Sequence, residues 1–282
     1  MTLYPYLSTH ANFRYALVLY RLLLFEFGIA VLEVFILALE MLCNKNTLPI
    51  HEDSVKSCDS LNRRLNICLR DAIREWEKIN NIDIVATPKS NLGKQPDLEN
   101  EEVVKDYERT KPDFQWEFQN RLADENNHNN SFYKNYEIEC KRLGKDISSR
   151  RNLSAEYVSK GIIRFTVDSH RYGQFASSGL MIGYVQSSDV QIILDEVNTA
   201  ALSNSLPELL LLTKGWEQAI SRLDHKLQRP DIEPSPFELR HLWVDLRHHY
   251  EQKITSAEKN ESSSKKQKVQ KPKSSKVKSN NE

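Results

Sequence analysis

The apolar and polar positions of this 282-residue chain change period several times. From Phe13 to Cys43 the chain is almost continuously apolar, interrupted by Arg14, Arg21, Glu26, Glu33 and Glu40. A membrane-spanning helix wants about 20 largely uncharged residues, and each charge at the bilayer centre costs at least about 2.5 kcal/mol. The run is therefore expected to be a long helix, or two broken near Gly28, buried against the rest of the chain or a second copy. No membrane partner is expected. After the break at Leu48-Pro49-Ile50 and an acidic start at Glu52-Asp53-Ser54, Val55, Cys58, Leu61, Leu65, Leu69, Ala72 and Trp76 recur every three or four residues. That spacing predicts an amphipathic helix to about Lys78.

The period then drops to two. Residues 82–87 predict a short strand ended by Pro88, and 90–102 a polar loop leading into a short acidic helix. In 111–118 Phe114, Trp116 and Phe118 alternate with Asp113, Gln115 and Glu117. In 136–143 Tyr136, Ile138 and Cys140 alternate with Glu137, Glu139 and Lys141. Alternate side chains of a strand point to opposite faces, so Glu137, Glu139 and Lys141 share one. Residues 155–172 predict a helix, 180–185 a buried strand, 190–202 a helix capped by Ser188-Asp189, and 237–246 a late strand. Residues 206–212 are a leucine-rich run. The polar stretch 222–226 reads as helix-like, and no internal repeat is visible.

Composition narrows the class. Charged residues make up 28% and hydrophobic residues 39%, an ordinary soluble balance, and the order of helical and strand periods predicts an α/β fold. Formal net charge is zero, but residues 256–282 hold eight lysines against three glutamates, leaving the body at −5. Nucleic-acid attraction must then come from local patches and from that tail, which is expected to be disordered and to offer Lys265, Lys266 and Lys268 to DNA. Cys43, Cys58, Cys68 and Cys140 form no CxxC pair, which fits a reducing compartment and a cytoplasmic protein. The start lacks a signal-peptide pattern. No Ser-His-Asp arrangement, phosphate-cradling glycine loop or dinucleotide fingerprint is present.

Two carboxylates and an ammonium on one half-buried strand face are expensive unless something uses them. Pairing the two alternating strands would bring Asp113 near Glu139 and Lys141. Acid-x-Lys occurs three times, at Glu139, Asp224 and Glu251, and Pro-Asp three times, at Asp97, Asp113 and Asp231. Only Asp113 and Glu139 both lie on alternating aromatic or apolar strands. Pro112-Asp113 with Glu139-Cys140-Lys141 resembles the PD-(D/E)xK nuclease superfamily, and the order helix, three strands, helix, strand resembles its restriction-endonuclease-like core.

The resemblance implies a bacterial defence-type member of that superfamily with such a core over 50–203. Extra N-terminal helices (1–49), a C-terminal helix–strand extension (204–255) packing on the core, and the 256–282 tail would complete it. It implies Mg²⁺ or Mn²⁺ held by Asp113, Glu139 and the Cys140 carbonyl. Lys141 would orient or help deprotonate the attacking water, or stabilise charge on phosphorus. Glu52 is the candidate upstream acid, the alternative being a simple helix-dipole role. Arg164, with Lys160 beside it, His170, Arg171 and Gln174 are candidate DNA contacts, the alternative being surface or salt-bridged residues. His241 is expected to be a packed strand residue. The implied activity is metal-dependent endonuclease hydrolysis of phosphodiesters, DNA foremost, in restriction or antiphage defence. The rival is a non-catalytic interaction subunit with a nuclease-like fold in a multi-protein complex, with an ATPase among its possible partners. A homodimer would fit the apolar N-terminal helices.

Overall fold

Sequences with a two-residue apolar period bury one face, or both, when their backbones pair into a sheet. In the computed structural model, which describes residues 28–44, 58–80, 88–90, 111–119, 133–145, 151–167, 170, 172–174, 176–212 and 219–249, seven strands pair into one sheet. They are β1 (Pro88–Ser90), β2 (Phe114–Gln119), β3 (Tyr133–Leu143), β4 (Ser178–Val185), β5 (Leu210–Leu211), β6 (Ile220–Leu227) and β7 (Phe237–Asp245), in the spatial order β1-β2-β3-β4-β7-β6-β5. The sheet is mixed. β3, β4 and β7 run parallel at its centre, and the flanking pairs are antiparallel. β4 is buried on both faces throughout, as its unbroken Leu-Met-Ile-Gly-Tyr-Val run requires.

Helices cover both faces. On one side lie α1 (residues 28–43) and α2 (Asp59–Asn80), whose buried stripes meet Phe114, Trp116, Ile138, Cys140, Ile182 and Val244. Two charges of the apolar N-terminal run fit this packing: Glu33 and Glu40, seven residues apart, lie on the outer side of α1, and Glu33 accepts a hydrogen bond from Trp76 Nε1 at 2.8 Å. On the other side α3 (Leu153–Ser159), a 3₁₀ turn (Ile162–Phe165) and α4 (Val190–Ser203) pack on Leu143, Met181, Val185, Leu239 and Trp243. No helix among the described residues is long and apolar enough to cross a membrane.

Several expectations change. The helix expected over 155–172 stops at Ser159 and resumes as the short 3₁₀ turn. Gly161 sits between them, where an added Cβ would strike the Tyr157 carbonyl and Met181 Cε. Residues 222–226, read as helix-like, belong to β6, in which Ser221, Leu223, His225 and Leu227 turn inward and Arg222, Asp224 and Lys226 outward. Pro88, expected to end a strand, begins β1, where an edge position tolerates its missing N–H. Residues 204–255, expected as an addition to the core, supply β5, β6 and β7, and β7 lies inside the sheet between β4 and β6. The expected strand at 82–87, the helix start at Glu52 and the 256–282 tail lie outside the described residues.

Candidate active site

β2 and β3 pair with Phe114 opposite Ile138, so Asp113, just before β2, arrives beside Glu139 and Cys140. Its carboxylate is gripped on both oxygens: Cys140 N–H donates to Oδ2 at 2.7 Å, and Asn62 Nδ2, from α2, donates to Oδ1 at 3.0 Å. Glu139, only 1% exposed, turns to the α3 side of the sheet. Its Oε1 accepts from Lys141 Nζ and from Arg164 Nη1, the latter at 2.7 Å. Its Oε2 is buried and has no hydrogen-bond partner among the described residues. Lys141 Nζ also reaches the Cys140 carbonyl at 3.3 Å.

Such crowding moves proton affinities. Burial, then the neighbouring Glu139 charge, pushes the Asp113 carboxyl up to about 7, against the opposing pull of Lys141, the Cys140 N–H and Arg164. Burial alone would lower the proton affinity of Lys141, but Glu139 and Asp113 outweigh it and leave the ammonium above its ordinary value. Lys141 is thus a fixed positive charge at neutral pH, poorly suited to take a proton from water and well suited to stabilise negative charge.

Glu137 shares the face of Glu139 but does a different job. Its Oε2 accepts from Gly173 N–H at 3.0 Å, and burial lifts its carboxyl to about 7. Arg229, itself buried, donates to the carbonyls of Phe165, Tyr172, Gly173 and Pro234 and lies over the Phe237 ring at 3.9 Å. Together they brace the chain between the 3₁₀ turn and β4.

Asp113, Glu139, Cys140 and Lys141 therefore converge as the strand pairing implied, and the 3₁₀ turn adds Arg164. Arg164, expected to face phosphate, is ion-paired with Glu139 in this structure. His170 stacks edge-on against Tyr172, and burial followed by the Arg164 charge lowers its proton affinity. Gln174 is half-buried close to the Gly173 brace, and Lys160 is an exposed partner of Glu156 on α3. Glu52, Arg171, Lys265, Lys266 and Lys268 lie outside the described residues. Sequence reasoning overlooked Asn62, although a signal existed: it is a polar residue within the apolar stripe of α2, between Leu61 and Leu65.

Among the described residues no group of three or more His, Cys, Asp or Glu side chains is arranged to hold a metal ion. The donor set at Asp113 and Glu139 is smaller than that: two carboxylates and the Cys140 carbonyl. Mg²⁺ commonly binds through one or two carboxylates and keeps several waters, and the unpartnered Glu139 Oε2 is an oxygen with unmet valence at this place. No family model, curated protein or solved structure matches this chain.

Proposed function

We propose that the chain is a Mg²⁺- or Mn²⁺-dependent nuclease of the PD-(D/E)xK type, acting on DNA, with a restriction-endonuclease-like core. The observation that carries this reading is the buried oxygen of Glu139 that has no hydrogen-bond partner among the described residues, beside Asp113 and an ammonium. Burying a carboxylate is costly, and leaving one of its oxygens unsatisfied adds to that cost. An incoming cation removes the deficit. The element order from α2 through β4, with a helix, three antiparallel strands, a helical segment and a parallel strand, supports the fold part of the reading.

Asp113, Glu139 and the Cys140 carbonyl would hold the ion, which when bound polarises a phosphoryl oxygen and makes a bound water more acidic. Lys141, kept as an ammonium, stabilises the negative charge that builds on the phosphoryl group. Arg164, about a quarter exposed, can exchange its contact with Glu139 for a non-bridging phosphate oxygen once a cation has taken over part of the Glu139 charge. Burial and Glu139 raise the proton affinity of the Asp113 carboxyl, which must give up any proton on loading, so metal uptake strengthens as pH rises toward and through about 7.

One observation favours the rival, a non-catalytic interaction subunit. Lys141 and Arg164 already neutralise Glu139, as they would if the ion pairs served only to hold β3 to the 3₁₀ turn. Incubation of the full chain with supercoiled and linear DNA, with Mg²⁺, Mn²⁺ or chelator, separates the two. Cleavage that needs the cation and disappears in Asp113→Ala and Glu139→Ala is expected. Cleavage of equal rate in those variants, or none in the parent protein, would sink the nuclease reading.

A further inference from the structure

The grip on Asp113 from α2 is more specific than a site made by two strands needs. Asn62 is fully buried, although it is an amide in the apolar stripe of a helix. Its two ends are used differently. Nδ2 donates to Asp113 Oδ1 at 3.0 Å, and Oδ1 accepts from the Tyr184 hydroxyl at 2.9 Å. Tyr184 comes from the central strand β4 and is itself fully buried. We propose that Asn62, with its amide turned by Tyr184, is a positioning residue that holds the Asp113 carboxylate in one orientation for a divalent cation. The inference rests on the metal-dependent reading above and adds to it a chain of contacts running from β4 through α2 to the ligand.

The physical case is one of direction. An asparagine amide is nearly symmetric in shape, and its two orientations differ only in which end donates. Turned the other way, it would set its carbonyl oxygen against a carboxylate oxygen, two acceptors in contact in a buried place. The Tyr184 hydroxyl, by donating to Oδ1, favours the orientation in which the NH₂ faces Asp113. The Asp113 carboxylate would otherwise turn about its side-chain torsions with only the Cys140 N–H to restrain it. With Oδ2 tied to β3 and Oδ1 to α2, its plane is set before any cation arrives, and each oxygen keeps a lone pair for a ligand bond. An asparagine present only to satisfy itself would leave the affinity of the site for metal unchanged on removal.

The test uses the full chain and Mn²⁺ alone as probe, followed by calorimetry and by the electron paramagnetic resonance of free ion. Thermal unfolding checks that each variant is folded. Asn62→Leu is expected to weaken Mn²⁺ binding about 10- to 100-fold, the usual loss when a partner of a metal ligand is removed. Tyr184→Phe, which leaves the amide free to turn, is expected to lose about three- to tenfold. Because Tyr184 acts through Asn62, the double variant should bind no more weakly than Asn62→Leu alone. Folded Asn62→Leu binding Mn²⁺ within about twofold of the parent, or losses that multiply in the double variant, overturns the proposal. If Asn62→Leu does not fold, Tyr184→Phe decides alone, and unchanged Mn²⁺ affinity overturns it.

A metal-free arm keeps this separate from the nuclease reading. In ¹⁵N-labelled protein the Asn62 side-chain amide protons should exchange at least about tenfold more slowly than those of exposed Asn152, and Asp113→Ala should abolish that protection. A parent protein that takes up no Mn²⁺ defeats the metal-dependent reading. Unprotected Asn62 protons defeat the grip on Asp113 itself.

Discussion

Two polar clusters are buried against the α3 side of the sheet, and they solve the same problem in opposite ways. Around β3 the groups are charged: Glu139, Lys141 and Arg164, with Asp113 beside them. Around β6 and β7 they are neutral. Trp243 Nε1 donates to the Tyr157 hydroxyl at 3.0 Å, that hydroxyl meets His241 Nδ1 at 2.8 Å, and His225 Nε2 meets the Pro207 carbonyl at 2.7 Å. Each cluster leaves atoms without a partner among the described residues. In the neutral one they are His241 Nε2 and His225 Nδ1, on rings 5.6 Å apart. In the charged one it is an oxygen of Glu139. A spare imidazole nitrogen is a modest deficit, whereas a spare carboxylate oxygen beside a second carboxylate favours a cation. Burial by itself therefore does not mark a site; the kind of valence left unmet does.

The largest expected effect breaks the charged cluster. Asp113→Ala and Glu139→Ala should each lower DNA cleavage by at least about 10³-fold, and Lys141→Ala by about 10²–10³-fold, measured under single turnover. The matching change in the neutral cluster is Tyr157→Phe. It strips a partner from Trp243 Nε1 and His241 Nδ1 and should cost about 1–3 kcal/mol in urea unfolding while leaving cleavage unchanged.

Stability against pH sharpens the contrast, because the carboxyls on and beside β3, Glu137 included, and the histidines of the neutral cluster tilt it in opposite directions. Asp113 and Glu137 are each raised to about 7, from ordinary values of 3.8 and 4.5, so the folded chain holds protons that the unfolded chain has lost. Their stabilisation is complete below about 4 and is lost as pH climbs to 7. Burial does the reverse to the histidines, lowering His225 from 6.5 to about 4 and His241 well below its ordinary value. Their contribution is present above 6.5 and lost as pH falls. In chelator the two tilts nearly cancel between about pH 4.5 and 6.5. Asp113→Asn should make stability rise with pH there by about 1.4 kcal/mol per unit relative to the parent, and His225→Gln should make it fall by a similar slope. Equal slopes in all three proteins would show that the clusters are not poised this way. The smallest effect belongs to the surface: Lys160→Ala, removing an exposed partner of Glu156, should cost no more than about 0.5 kcal/mol in the same unfolding assay.

The sequence alone was informative where one short period decides burial. The two-residue alternation at 114–116 and 136–143 marked β2 and β3, and the three-to-four spacing at 61–76 marked α2, because each pattern buries only one face in only one kind of backbone. The convergence of Asp113 with Glu139 and Lys141 was legible for the same reason, since antiparallel pairing of two such strands leaves few registers. Elsewhere the local signal misled. Residues 222–226 carry polar side chains at alternate positions of a sheet strand, and their composition says nothing of the partner that makes them one. The lack of room for a side chain at Gly161 is likewise set in part by Met181, a residue of β4 twenty positions away.

What the tertiary structure decided is the surroundings of the carboxylates. That Arg164 joins Lys141 on one oxygen of Glu139, and that Asn62 and Tyr184 hold Asp113, depend on contacts between residues 25 to 122 positions apart. The periodicity of a chain encodes which face of an element is buried. It does not encode which element covers that face, and the covering elements, α2 on one side and the 3₁₀ turn on the other, set the charge, the orientation and the free valence of the site.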